Sequence, residues 1–242
     1  MPAHRRATAI ARAPEPAAEA VRGSLVEWIS SESFSCLGGK ASLRRGILTC
    51  AELGTMGTGS ATAALHAGLR RFVLDGPEGD REDGPAPAEN FRSFVALFDG
   101  PTDLAEPEFE RLLWLQLARL HRLDRREHAW APGVDIDTES GDFGFSAVGH
   151  PFFVVGLHPQ ASRISRRFCR PALAFNSHHQ FRRLKANGSY DGLRRKIRDR
   201  ELRLQHSINP NLADFGEVSE ARQYSGRPVG PAWTCPVSLH DT

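Results

Sequence analysis

The stretch FGFSAVGHPFFVVGLHP, residues 143–159, constrains the fold more than any other part of the chain. Two β-like runs flank Gly149, His150 and Pro151, which predicts a hairpin apolar enough to enter a core. A sheet must then be completed around it. Two short runs supply further strands: Phe91–Phe98, which mixes aromatic and apolar residues, and PALAF, Pro171–Phe175. Helical spacing occupies much of the rest. Asp103–Arg126 places Phe109, Leu112, Leu113, Leu117, Leu120 and Leu123 on one face, with Pro107 in its first turn. Ser60–Phe72 repeats small and apolar residues through Ala64, Leu65, Leu69 and Phe72. Ser24–Ile29 reads as a short helix interrupted by FSCLGGKAS, and the basic run after Phe175 as two helices broken near Asn187 and Gly188. This order of elements predicts the α+β class: a single domain with a small mixed β-sheet flanked by helices.

Length and composition bound the rest. A chain of 242 residues with 40% hydrophobic content buries one substantial core. Residues 24–228 are read as that domain. Residues 1–23 lack the apolar run of a secretory signal and are expected to be a disordered tail; 229–242, rich in Pro and Gly, are expected to be coil. Gly76–Glu89 reads as an exposed loop. The 31 basic residues are nearly balanced by 29 acidic ones, a net +2, so overall charge gives no reason to expect nucleic acid or an anionic membrane as partner. No 18 apolar residues run together, so no membrane partner is expected. Cys36, Cys50, Cys169 and Cys235 form no CxxC pair, which fits reduced thiols in a cytoplasmic protein. The basic segment Arg182–Arg203 is interleaved with Leu184, Leu193 and Ile197 at helical spacing and is read as an amphipathic helix pair on a core rather than a nucleic-acid surface.

Chemistry-bearing residues concentrate between Gly149 and Arg227. His158 ends a β-run just before Pro159, a position equally suited to a structural hydrogen bond and to a ligand or acid–base role. Arg163, Arg166 and Arg167 follow at spacings of three and four, which on a helical turn shares one side and forms an anion site; the alternative is a solvated face. Asn176, His178 and Gln180 sit at a strand-to-helix junction and suit binding, although Asn176 is also a natural N-cap; His179 is read as facing elsewhere. Asp214, Glu217 and Glu220 are candidates to hold a cation, or else offset the basic helices, and INPNLADFG and QYSGR double as turn scaffolding.

Three runs in close order, GLHPQASRISRRF, LAFNSHHQF and IRDRELRLQHSINPNLADFGEVSEARQYSGR, resemble the bacterial YqcI/YcgG family. The similarity extends upstream through FERLLWLQLARLHRLD and Trp130, more weakly to FSCLGGKAS, and covers roughly residues 25 to 228. That family includes a heme-dependent N-hydroxylase of guanitoxin biosynthesis. The resemblance therefore implies a heme cofactor and an oxygenase that N-hydroxylates an amine or guanidine of a small polar substrate in specialised metabolism. By this route His158 is the expected axial ligand with Cys36 as the alternative, and Arg163, Arg166 and Arg167 are expected on the propionates. Asn176, His178 and Gln180 are expected to position substrate or oxygen, and Glu217, Glu220 and Tyr224 to bind the substrate. Electrons would come from an external donor, because the chain has neither a GxGxxG after a strand nor an iron–sulfur cysteine set. A homodimer is left open. A non-catalytic heme-binding or heme-sensing protein is the alternative reading. Three departures from the family pattern stand out: Ser35 for a proline, Glu201 for an aspartate, and His206 for a glycine before SINP, the last expected to line or narrow a pocket.

Overall fold

The hairpin forms between β3, Phe145–Ala147, and β4, His150–Leu157, in a computed structural model that describes residues 16–76, 91–211 and 218–240. Its turn consists of Val148 at φ 56° and Gly149 at φ 63°, the pair of positive angles that a tight two-residue connection requires. Glycine accepts that angle freely, whereas a β-branched valine is strained there. The carboxylate of Asp124 accepts the Val148 N–H at 3.0 Å and holds the strained residue in place.

The remaining strands are β1, Leu48–Glu52, β2, Ser93–Leu97, and β5, Ala172–Ser177. Sheet order is β1-β2-β5-β4-β3; β1 and β2 run parallel and every other pair is antiparallel, so the sheet is mixed. Six longer helices surround it: α1, Pro16–Ser30; α2, Leu37–Arg44; α3, Gly59–Leu74; α4, Glu106–Asp124; α5, His178–Ala186; and α6, Tyr190–Gln205. A short α7, Ala221–Tyr224, follows, and a single 3-10 turn at Ile164–Arg166 links β4 to β5. The protein is α+β with a five-stranded mixed sheet. None of the described helices is long and apolar enough to cross a membrane.

Strand alternation divides the interior into two layers. Phe94 and Ala96 of β2, Phe152 and Val154 of β4, and Leu173 and Phe175 of β5 belong to one core with Leu65 and Leu69 of α3 and Phe109, Leu113 and Trp114 of α4. Close approach matters here. A Cβ on Gly68 of α3 would lie 2.7 Å from the Phe94 ring, so only glycine lets the helix lie this near the sheet. The opposite set, Val95, Leu97, Leu157 and Ala172, packs with Leu25 and Ile29 of α1.

Boundaries shift at the ends. α1 starts at Pro16, inside the segment expected to be a tail, whose residues 1–15 lie outside the described ones. Of the expected loop, 77–89 likewise lie outside. Residues 229–240 carry no helix or strand, yet Leu239 is buried and Trp233 and Cys235 pack on the main core, so this coil is part of the domain's packing.

Candidate functional site

A cavity of about 300 Å³ lies on the α1 face of the sheet. Its walls are mostly apolar, with Trp28, Phe34, Val95, Phe153, Val155 and Phe181 among them, and a small set of polar side chains enters from the rim. Cys36, Arg163, Arg166, Asn176, Gln180 and Glu220 all line it, drawn from segments as far apart as the start of α2 and the start of α7. An apolar chamber with a few convergent polar groups is the usual form of a small-molecule site.

Cys36 occupies the N-cap of α2 in extended geometry, and its Sγ accepts the Gly39 N–H at 3.4 Å. The glycines are required by the neighbouring rings: a Cβ on Gly39 would come within 2.7 Å of Phe34. Burial pushes the Cys36 thiol up, while the Gly39 and Gly38 N–H groups and the charge of Arg166 pull it back. Cys36 is exposed by surface area and lies on the lining of the cavity.

His158 lies elsewhere. Side chains of β4 alternate, so Phe153, Val155 and Leu157 line the cavity while Phe152, Val154 and His158 turn to the α3–α4 side. The imidazole stacks on Phe109 of α4, with ring centroids 4.2 Å apart, and neither ring nitrogen has a partner among the described residues. The expected primary ligand is therefore on the wrong face of the sheet for this cavity, and the alternative, Cys36, is on the right one. Burial lowers the His158 pKa from its ordinary 6.5 to about 4. Between those values the unfolded chain takes up a proton that the folded one refuses, so stability falls as pH drops across that window. His158→Leu is expected to reduce this acid sensitivity: urea midpoints at pH 7.5 and 4.5 should lie closer together than in the wild type. An unchanged gap would contradict it.

The three arginines do not form one row. Arg163 precedes the 3-10 turn; its guanidinium donates to Glu201 Oε2 at 2.7 Å, to the Ser207 carbonyl at 2.7 Å and to Ser207 Oγ at 2.9 Å. Arg167 turns away, its Nε donating to the Ala161 carbonyl at 3.0 Å. Arg166 lines the cavity as Arg163 does, but its side chain donates only to backbone carbonyls, those of Gly156, Gln223 and Tyr224 at 3.1, 3.2 and 3.4 Å. Its hydrogen-bond partners are neutral oxygens, and the nearby Glu201 carboxylate, ion-paired with Arg163, offsets its charge in part. Desolvation lowers its pKa to about 10, still cationic at neutral pH.

Asn176 belongs to β5 rather than to a helix cap, and Ser177 takes the cap position. Its Oδ1 accepts from Ser93 Oγ at 2.7 Å, and Gln180 Nε2 donates to the Arg92 carbonyl at 2.7 Å, so both amides are fixed on the cavity wall. His178 sits one layer behind. Its Nε2 lies 3.0 Å from Glu220 Oε1, and the Tyr224 hydroxyl donates to the same oxygen at 2.6 Å while accepting the Phe145 N–H at 3.1 Å. Tyr224 is fully buried, stacked on Trp114, and reaches the cavity only through Glu220. Glu220 Oε2 has no hydrogen-bond partner among the described residues, and burial raises the carboxyl pKa. Glu217 and Asp214 lie outside the described residues.

Two departures from the family pattern meet in space. Ser35 Oγ donates to Glu201 Oε1 at 2.5 Å, across 166 residues of chain, so the two positions expected to differ from the family pattern form one contact beside the cavity. The third departure has a backbone cause. His206 closes α6 at φ 55°, an angle glycine adopts without strain, and its side chain is exposed rather than lining a pocket.

The family model described as YqcI/YcgG family matches residues 25–238. No curated protein and no solved structure matches the chain.

Proposed function

Because the chain belongs to the YqcI/YcgG family, we propose that it is a cytoplasmic heme-dependent oxygenase that N-hydroxylates an amine or guanidine nitrogen of a small polar substrate. One observation carries the enzymatic part of this reading: Glu220 lines a largely apolar cavity and has a buried carboxylate oxygen with no hydrogen-bond partner among the described residues, while His178 and Tyr224 hold the other oxygen. A protein that only stores heme has no use for such a group. A cationic nitrogen donor satisfies it.

The residues present fit a heme. Cys36 offers a soft sulfur donor at a turn that glycines keep open, Arg166 offers a positive charge whose hydrogen bonds go only to neutral carbonyls, and the apolar walls suit the macrocycle. Bound there, the group would supply activated dioxygen, one oxygen atom going to the substrate nitrogen and the other to water with two electrons from an external donor. Cys36 would hold the iron as thiolate, stabilised by the N–H groups of Gly38 and Gly39 and by Arg166. Glu220 would anchor the substrate's charge, and Gln180 and Asn176 would orient its polar part. Apolar walls exclude water, which strengthens each of these contacts.

The test is turnover: heme-loaded protein, reductant and labelled dioxygen are supplied with guanidine-bearing and aromatic amines, and products are read by mass spectrometry. Label on nitrogen supports the assignment; carbon hydroxylation, or heme cycling that no substrate alters, contradicts it. Arg166→Gln removes the charge together with most of the carbonyl bonds, leaving one shorter amide donor. It is expected to speed hemin loss by about 10–100-fold, the weight of a charge-assisted contact of ~1.5–3 kcal/mol. Arg167→Gln should leave the rate unchanged.

A further inference from the structure

On the other side of the sheet three ligand-type side chains converge that the cavity does not use. His66 of α3, Asp124 at the end of α4 and His128 just beyond it each offer one atom, and these atoms lie within 4.8 Å of one another. We propose that they form a site for one Zn²⁺ ion, with the fourth position left to water.

Chemistry and geometry both point to this ion. Two imidazoles and one carboxylate are a borderline donor set, which suits zinc and not the oxygen-seeking Mg²⁺ or Ca²⁺. Zinc bonds of ~2.0–2.1 Å put neighbouring ligand atoms of a tetrahedron about 3.3 Å apart. Here His66 Nε2 lies 2.8 Å from Asp124 Oδ1, and the third atom is within the 4.8 Å limit, so small side-chain rotations close the set. The site is empty in the structure. His128 Nε2 is buried and has no hydrogen-bond partner among the described residues, a donor without a use until an ion arrives. Asp124 is held in place by its bonds to the Val148 N–H, the kind of outer support that orients a metal-binding carboxylate. Access is short, since His128 is half-buried and Glu127 and Ala129 on either side are exposed. Binding through His66 Nε2 replaces its hydrogen bond to Asp124 with the ion, and the neutral ring keeps its one proton on Nδ1.

The ion would tie α3 to the end of α4 and, through Asp124, to the hairpin turn. It would do so without touching the cavity, so its presence does not depend on heme.

The experiment uses the full chain with any affinity tag removed, dialysed against a weak chelator and titrated with ZnCl₂ in a calorimeter. One Zn²⁺ per chain is expected, and at free Zn²⁺ about a hundredfold above Kd the thermal midpoint should rise by about 5–10 °C. His128→Ala removes a ring whose Nε2 bonds to no described residue, so the fold survives. Zn²⁺ affinity should fall by more than the ~10–100-fold that outer partners contribute, with no thermal gain left. His128→Cys, which keeps a zinc ligand, should restore binding. Absence of Zn²⁺ binding in the wild type, or equal binding by wild type and His128→Ala, overturns the site whatever the heme experiments show.

Discussion

Cys36→Ala is expected to abolish the thiolate signature of the heme-loaded protein, seen as loss of the red-shifted band in the ferrous–CO spectrum and as a large fall in retained heme. His158→Leu should leave both intact. The reason is topological: Cys36 lines the cavity from the start of α2, whereas His158 is on the face of β4 that packs against Phe109. As a free thiol Cys36 resists ionisation because it is desolvated. Iron removes that barrier by taking the sulfur's charge, and the Gly38 and Gly39 N–H groups with Arg166 are already placed to stabilise what remains. The substitution also deletes a weak N-cap contact, worth about 1 kcal/mol at most, so circular dichroism should stay native. A preparation of Cys36→Ala that keeps the wild-type spectrum would remove Cys36 as ligand.

Local pattern reveals elements whose signal is carried by neighbouring residues. α4 and the β3–β4 hairpin are legible because a period of 3.6 along Phe109, Leu113, Leu117 and Leu120, and two apolar β-runs meeting near Gly149, are written within a few residues, although the turn falls at Val148–Gly149 and His150 and Pro151 belong to β4. β1 is not. LTCAE is a short edge strand with no clear alternation, and it forms because β2 pairs with it. α7, whose last two residues open QYSGR, escapes notice for a similar reason: four residues carry no period.

Site residues divide the same way. Asn176 and Gln180, singled out at a strand-to-helix junction, do line the cavity, but alternation alone says only that Leu157 and His158 face opposite ways, and the side that holds the cavity depends on α1, α2 and α6 arriving from afar. Glu201 with Ser35 and His66 with His128 are each joined across long stretches of chain, so nothing local announces them. Three arginines at helical spacing promised one cluster. A one-turn 3-10 segment instead sends each to a different partner.

Glu220→Gln is expected to retain heme and fold while losing roughly 150–5,000-fold in kcat/KM toward a cationic guanidine substrate, the ~3–5 kcal/mol that breaking a buried charge pair costs. Glutamine keeps the shape and can still accept from Tyr224 and His178, so what is removed is the charge. A neutral aromatic amine should lose far less. The pH profile provides an independent readout, because burial raises the Glu220 carboxyl above the ordinary glutamate value while the bonds from His178 and Tyr224 only partly offset it. Only the ionised carboxylate holds a cation, so wild-type kcat/KM should fall as pH drops through that raised pKa, at a higher pH than an exposed glutamate would give. In Glu220→Gln this acid limb should vanish. Equal losses for cationic and neutral substrates, with the acid limb intact, would mean that Glu220 serves only to hold His178 and Tyr224 in the core.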